Sequence, residues 1–238
     1  MSDLQIPFVT ADQMRRVDDL AENEFFLELK QMMENAGRGL ARLSRERFLN
    51  GDVRSKKVLI LAGPGGNGGG GMAAARRLHV WGANPIIILG ASEEKLAPVP
   101  RHQLRALKKI GVPILEAQSA FPEAELILDA LLGYSVKGSP RPPMDQLVSS
   151  ANRAPQPILS LDLPTGLDPD SGLPAHPAIE ATATMTLALP KAGLREPAGL
   201  ENVGELWLAD ISIPPELYLR MGLEVGPIFA EDDLIRIN

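Results

Sequence analysis

The chain contains no cysteine. That absence removes disulfides, thiolate catalysis and cysteine-held zinc or iron–sulfur centres together. Its three histidines, His79, His102 and His176, are scattered without metal-ligand spacing, so no role falls to them. There is no block of Lys or Arg, and the formal net charge is −6. Nucleic acid is therefore not an expected partner. No apolar run approaches the roughly 18 residues of a membrane-crossing helix. The polar start Met1-Ser-Asp-Leu-Gln5 also lacks the shape of a signal peptide. The expected setting is the cytoplasm, with no membrane partner.

What is present reads as a folded α/β chain. Hydrophobic residues at 45% and charged residues at 23% are near the globular average, which excludes disorder over most of the length. On a scale of about 150 residues per domain, residues 1–238 read as one domain. The most informative stretch is Val58-Leu-Ile-Leu-Ala-Gly63-Pro-Gly-Gly-Asn-Gly-Gly-Gly-Gly71-Met-Ala-Ala-Ala, with seven glycines in nine positions. It predicts a strand, a tight loop and a helix from about residue 71. Glycines let backbone approach a ligand closely, and the following helix offers free N–H groups and a positive dipole end, so an anion such as phosphate is the expected guest. Gly63, Gly65 and Gly68 satisfy G-x-G-x-x-G formally. A dinucleotide-dependent oxidoreductase fits poorly, because the ribose-binding acid about 20 residues on is missing. There, Ile86-Ile-Ile-Leu-Gly90 runs into Ala91 and Ser92. No Gly-Lys-Ser/Thr follows either, so a P-loop is ruled out.

Along the chain, Thr10-Ala-Asp-Gln13 has capping-box spacing and opens a helix through Met14, Val17 and Leu20. A second helix is predicted over about 27–48, and the two are expected to cap the sheet. Strands at 57–62, 85–89, 113–115, 125–129 and 158–162 alternate with helices at about 71–81, 100–109 and 143–152. That alternation predicts a Rossmann-like, doubly wound, mostly parallel sheet with helices on both faces. Two further strands near 182–189 and 204–209 are expected to extend it.

In such a sheet ligands bind beyond the carboxyl ends of the strands at the switch point. The first strand ends at the glycine loop, the fourth at Asp129 and the fifth at Asp162. Two aspartates closing buried strands imply a cation, a hydroxyl ligand or a raised pKa. Asn67, Asp129 and Thr165 together offer hard oxygen donors suited to an alkali or alkaline-earth ion. Lys137 and Lys191 fall near strand ends or cleft loops. Either suits phosphate or an aspartate, although a loop lysine is more often a solvated charge.

Three linked motifs carry a resemblance: the glycine segment 63–71, Leu128-Asp-Ala-Leu-Leu-Gly133 and Leu161-Asp-Leu-Pro-Thr-Gly166. In order and spacing they resemble the NAD(P)H-hydrate epimerases, the YjeF N-terminal domain, and Thr10-Ala-Asp-Gln-Met14 and Met33-Glu-Asn-Ala-Gly37 resemble its opening helices. The resemblance spans about residues 9–210. It implies epimerisation of hydrated NADH or NADPH at the hydroxyl-bearing ring carbon, a homodimer, and a functional link to a separate dehydratase. It places potassium on Asn67, Asp129 and Thr165, and substrate on Gly66, Asn67, Gly68, Gly69 and Gly70. It also places substrate on Gly133, Tyr134, Ser135, Val136, Lys137, Gly138, Ser139 and Asp162, with Asp162 as the acid/base. The family's loop usually reads Gly-Asn-Asn-Gly-Gly-Asp-Gly. Here Gly66 and Gly70 replace the first asparagine and the aspartate, and Thr165 stands for the usual serine. The alternative is a non-catalytic relative acting as a nucleotide-binding or dimerisation scaffold.

Overall fold

Thr10 opens helix α1 (Ala11–Asn23) as its spacing predicts. Its Oγ1 accepts from Gln13 N at 3.2 Å and the Gln13 side chain accepts from Thr10 N at 2.8 Å. These and all following contacts come from a computed structural model, which describes residues 6–117 and 121–238. Helix α2 (Leu29–Leu43) runs into a π-helical turn, Ser44–Phe48, so the predicted 27–48 helix is realised in two hydrogen-bonding patterns. Strand β1 (Lys57–Ala62), helix α3 (Gly66–Val80), strand β2 (Asn84–Leu89), helix α4 (Pro98–Lys109) and strand β3 (Ile114–Glu116) follow. The second half comprises β4 (Leu126–Ala130), α5 (Met144–Arg153), β5 (Ile158–Leu161), β6 (Ala183–Leu187), the short α6 (Leu200–Val203) and β7 (Glu205–Ala209). A short helix α7 (Pro215–Arg220) and a last strand β8 (Leu234–Arg236) complete the chain.

The strand order is β3-β2-β1-β4-β5-β6-β7-β8, parallel except for the antiparallel β7–β8 pair. The chain reverses direction across the sheet between β1 and β4, which puts the switch point at the ends of those strands. Val58 through Ala62 are all buried, as expected of a parallel strand covered on both faces. One face packs Leu40 and Leu43 of α2, Met72 and Leu78 of α3, and Leu104 and Leu107 of α4 against Val58, Ile60, Leu128 and Leu161. The other packs Leu147, Val148 and Ala151 of α5 against Leu59, Leu61 and Ile127. The two N-terminal helices meet in one cluster through Met32 and Ala36 of α2 but cover different surfaces. α2 joins the layer of α3 and α4, while α1 sets Met14, Val17 and Leu20 against Leu189, Ile211, Leu217 and Tyr218.

The glycine segment corrects the sequence reading. Only residues 63–65 form the turn after β1, and helix α3 begins at Gly66 rather than near 71. Five glycines at 66, 68, 69, 70 and 71 therefore lie in a helix, where each costs about 1 kcal/mol relative to alanine. Close approach accounts for most of them. A Cβ at Gly68 would stand 1.9 Å from Gly63 O, at Gly69 2.4 Å from Met33 Sδ, and at Gly71 2.6 Å from Ala130 Cβ. At Gly70 it would meet Leu161 Cδ2 at 2.8 Å, whereas Gly65 and Gly66 face open space. Propensity pointed away from helix, and tertiary packing overrode it. The antiparallel β8 also escaped the sequence reading, because three residues are too short to show a period.

α2 and α3 cross closely at Gly37, where a Cβ would lie 2.5 Å from Ala73 Cβ and 2.8 Å from Ala74 N. Gly37→Ala is expected to lower the unfolding free energy by about 1–3 kcal/mol from overpacking, despite a helix-propensity gain of about 1 kcal/mol. Gly66→Ala, with open space ahead of it, is expected to be neutral or slightly stabilising. Urea midpoints measure both, and equal midpoints would show that the crossing does not require glycine.

Candidate active site

The sheet topology brings three sequence-distant strand ends together. β5 stops at Leu161, and Asp162 takes a left-handed conformation with φ 70°, its N–H donating to Met185 O at 2.7 Å. The Asp162 carboxylate then reaches two partners. Lys191 Nζ donates to Oδ1 at 2.5 Å, and the backbone N–H of Tyr134 donates to Oδ2 at 3.0 Å. Lys191 is only 1% exposed. Its remaining protons go to Leu187 O at 3.0 Å and Thr186 Oγ1 at 3.4 Å, so the ammonium is fully satisfied. It also lies 5.4 Å from the centre of the Tyr134 ring.

Asp129, at the end of β4, is fully buried. Its Oδ2 accepts from Ser160 Oγ at 2.8 Å and Thr165 N at 2.9 Å; its Oδ1 accepts from Thr165 Oγ1 at 2.7 Å and Leu131 N at 3.3 Å. Burial pushes this carboxyl above its ordinary value, and the bonds from Thr165 and Ser160 oppose the shift without cancelling it. Thr165 Oγ1 also accepts from Leu132 N at 3.1 Å, and Asn67 Nδ2 donates to Leu132 O at 3.0 Å. Asn67, Asp129 and Thr165 are thus joined through the backbone of Leu132.

Beyond these strand ends lies a cleft of about 390 Å³, within the range that holds a small organic ligand. Its walls include Pro64, Gly65, Gly66, Asn67 and Gly70 of the α3 start, residues 132–136, Asp162, Lys191, and Met14 and Asp18 of α1. The first-turn N–H groups of α3 have no intrahelical acceptor, and no acidic residue occupies that turn, so the positive end of the helix faces the cleft. Tyr134 carries its phenol to Asp18 Oδ2, to which it donates. Burial, then the neighbouring Asp18 charge, holds the phenol protonated well above its ordinary range.

The profile of the YjeF-related protein N-terminus matches residues 29–193. The chain belongs to this family. It is 42% identical over 218 residues to an NAD(P)H-hydrate epimerase of Dehalogenimonas lykanthroporepellens, covering 91% of this chain and 86% of that protein. It is also 35% identical to an NAD(P)H-hydrate epimerase of Truepera radiovictrix, over 96% of this chain and 100% of the relative. A bifunctional NAD(P)H-hydrate repair enzyme of Moorella thermoacetica is 36% identical over 88% of this chain, which spans 41% of that longer protein. The crystal structure of the yeast protein ynu0 superposes with a TM-score of 0.82 at 27% identity, covering 98% of this chain and 100% of that one.

Of the residues marked from sequence, Gly66, Asn67, Gly70, Gly133, Tyr134, Ser135, Val136 and Asp162 line the cleft. Gly68 and Gly69 turn toward Gly63 and Met33 instead. Lys137, Gly138 and Ser139 continue past the lining, and Lys137 pairs at the surface with Asp170 at 2.7 Å. Asp129 and Thr165 sit behind the wall rather than in it. Lys191, placed from sequence near the cleft loops and suited to phosphate or an aspartate, is the buried partner of Asp162. Asp18 did leave a signal, since it falls within the inward stripe of Met14, Val17 and Ala21 on α1.

Lys191→Met leaves a buried carboxylate without its cation, and is expected to cost about 3–5 kcal/mol of stability. Adding Asp162→Asn is expected to recover most of that loss. Chemical denaturation of the single and double variants measures it, and a cost below about 1 kcal/mol for Lys191→Met would mean that water compensates the carboxylate.

Proposed function

We propose that the chain epimerises the R and S forms of hydrated NADH and NADPH, with Asp162 as the acid/base. The observation that carries this reading is the position of Asp162. It is a positioned carboxylate in the same cleft as the α3 N-terminus, within a chain similar to NAD(P)H-hydrate epimerases over nearly its whole length. The cleft divides the work by chemistry. The free N–H groups and dipole end of α3 suit the pyrophosphate or a ribose phosphate. Residues 133–136 and Asp162 are proposed to hold the hydrated nicotinamide, with residues 137–139 closing the segment. Lys191 and the Tyr134 N–H fix both oxygens of Asp162 in place. A carboxylate held beside the hydroxyl-bearing carbon moves a proton to or from that oxygen, a role worth about 10²–10⁴ in rate.

The donors for potassium fit in kind. Asp129 is a fully buried carboxylate whose hydrogen-bond donors are all neutral, and it belongs to no ion pair among the described residues. A monovalent cation held by the Asn67 carbonyl, Asp129 and Thr165 would supply the missing positive charge. Bound there, it would steady the strand ends that frame the cleft. We further read residues 1–238 as one domain, working as a homodimer in the cytoplasm alongside a separate dehydratase; the relatives named as bifunctional repair enzymes are consistent with a second, linked activity. No helix among the described residues is long and apolar enough to cross a membrane. The scaffold alternative drawn from Gly66 and Gly70 gains nothing from the site, because Gly70 is matched by Leu161 and the Asp162 pair is complete.

Purified protein is expected to exchange the two epimers of hydrated NADPH, resolved by chromatography, faster in potassium than in lithium at equal ionic strength. Asp162→Asn is expected to lower the rate by about 10²–10⁴ while the nucleotide still binds. No exchange by the unaltered protein would overturn the reading.

A further inference from the structure

Asp162 accounts for one carboxylate of the cleft and leaves a second, Asp18, without a role. Asp18 enters from α1, on the inward face of the helix, and its Oδ2 accepts the Tyr134 phenol. Tyr134 therefore touches both carboxylates, its N–H on Asp162 and its hydroxyl on Asp18. The two acids differ in their surroundings. Asp162 is committed to Lys191, whereas Asp18 makes no ion pair among the described residues. The charged and titratable groups that face the Tyr134–Asp18 pair are Lys191 and Asp162 across the cleft, Arg15 and Glu22 on the helix of Asp18, and Tyr218 from α7. Of the two cations, Lys191 is bonded to Asp162 and Arg15 is paired with Asp12. Burial raises the Asp18 carboxyl above its ordinary value, and the Tyr134 bond only partly opposes this.

We infer that Tyr134, poised by Asp18, is a second proton-transfer group of the cleft and the counterpart of Asp162 on the hydrated nicotinamide ring. The inference rests on the epimerase reading above. An epimerisation by loss and return of water needs a donor where the hydroxyl leaves and an acceptor where water re-enters. From one epimer, with the Asp18 carboxyl protonated and the hydrogen bond of the pair reversed so that Asp18 donates to the phenol oxygen, the Tyr134 phenol gives its proton to the departing oxygen and is refilled from Asp18. The C–O bond breaks with its pair on oxygen, forming water, while the ring nitrogen's lone pair forms a C=N bond. Water then adds to the other face: its lone pair makes the new C–O bond, the C=N pair returns to nitrogen, and its surplus proton goes to Asp162. From the other epimer Asp162 donates and the Tyr134–Asp18 pair accepts; between successive turnovers in one direction the proton is returned from Asp162 to Asp18 through water, and no oxidant is needed. Tyr134 is the group that meets the substrate, and Asp18 is its positioning residue.

Asp18→Asn is the discriminating variant, because an amide still bonds the phenol and a merely structural contact would survive it. Asp18→Asn and Tyr134→Phe are each expected to lower kcat for epimer exchange about a hundredfold, with KM within threefold. The double variant is expected to be no slower than the slower single. A donor that must be protonated loses rate as pH rises through its titration. That high-pH limb of kcat is expected to vanish in Asp18→Asn and to persist, at intermediate rate, in Asp18→Glu. Thermal melts check folding, and Tyr134→Phe, which removes one hydroxyl, carries the test should Asp18→Asn fail to fold. Exchange by Asp18→Asn within threefold of the parent rate, or slowing through KM alone, overturns the inference. A parent protein that exchanges no epimers overturns the epimerase reading instead.

Discussion

The buried pair between Lys191 and Asp162 is the interaction around which the site is organised. Against an apolar pair of equal volume, a buried ion pair adds little net stability, and what it fixes is position. Lys191 lies in the connection after β6, and the backbone on either side of it holds the chain's beginning. Val9 N donates to Pro190 O at 2.9 Å and Ala192 N donates to Val9 O at 2.8 Å. Thr10 follows directly and starts α1. The segment that delivers the ammonium to Asp162 therefore also delivers α1, with Met14 and Asp18, to the cleft wall.

That arrangement asks for strain and accommodates it. A non-glycine residue in the left-handed region costs about 1–2 kcal/mol, and Asp162 adopts φ 70° just where β5 stops. The cost is confined because its N–H still reaches Met185 O on β6 and both carboxylate oxygens find donors. The turn redirects the carboxylate toward residues 133–134, whose close approach depends on Gly133. A Cβ there would stand 3.0 Å from Asp162 Oδ2 and 3.5 Å from Asn67 Cγ. The glycine ending one motif thus makes room for the aspartate of the next.

The fold was legible because alternation and strand ends are local properties. β1 read as an apolar run and is buried on both faces; Asp129 and Asp162 read as strand-end acids and sit at or just past β4 and β5. What stayed hidden depends on contacts between distant residues. The helical state of Gly66 to Gly71 is imposed by Gly63, Met33, Ala130 and Leu161, which no window around the glycines contains. Lys191 read as a cleft lysine suited to an aspartate, but which aspartate it meets, and its burial, depend on Asp162, 29 residues earlier. The Tyr134 phenol has its partner 116 residues away, on a helix whose apolar stripe alone hinted that Asp18 faces inward.

The two glycines that depart from the family's usual loop have separate causes. At 70 the space an aspartate would occupy is taken by Leu161 Cδ2, 2.8 Å from where a Cβ would start, so the exchange belongs to the packing of α3 on β5. At 66 nothing stands within 4 Å, and the missing side chain opens the cleft rather than relieving a clash. With no acid in its first turn, α3 keeps its dipole end uncompensated by the protein. The departures therefore change the surface at the start of α3, while the pair that positions Asp162 and the hydrogen bonds around Asp129 lie outside their reach.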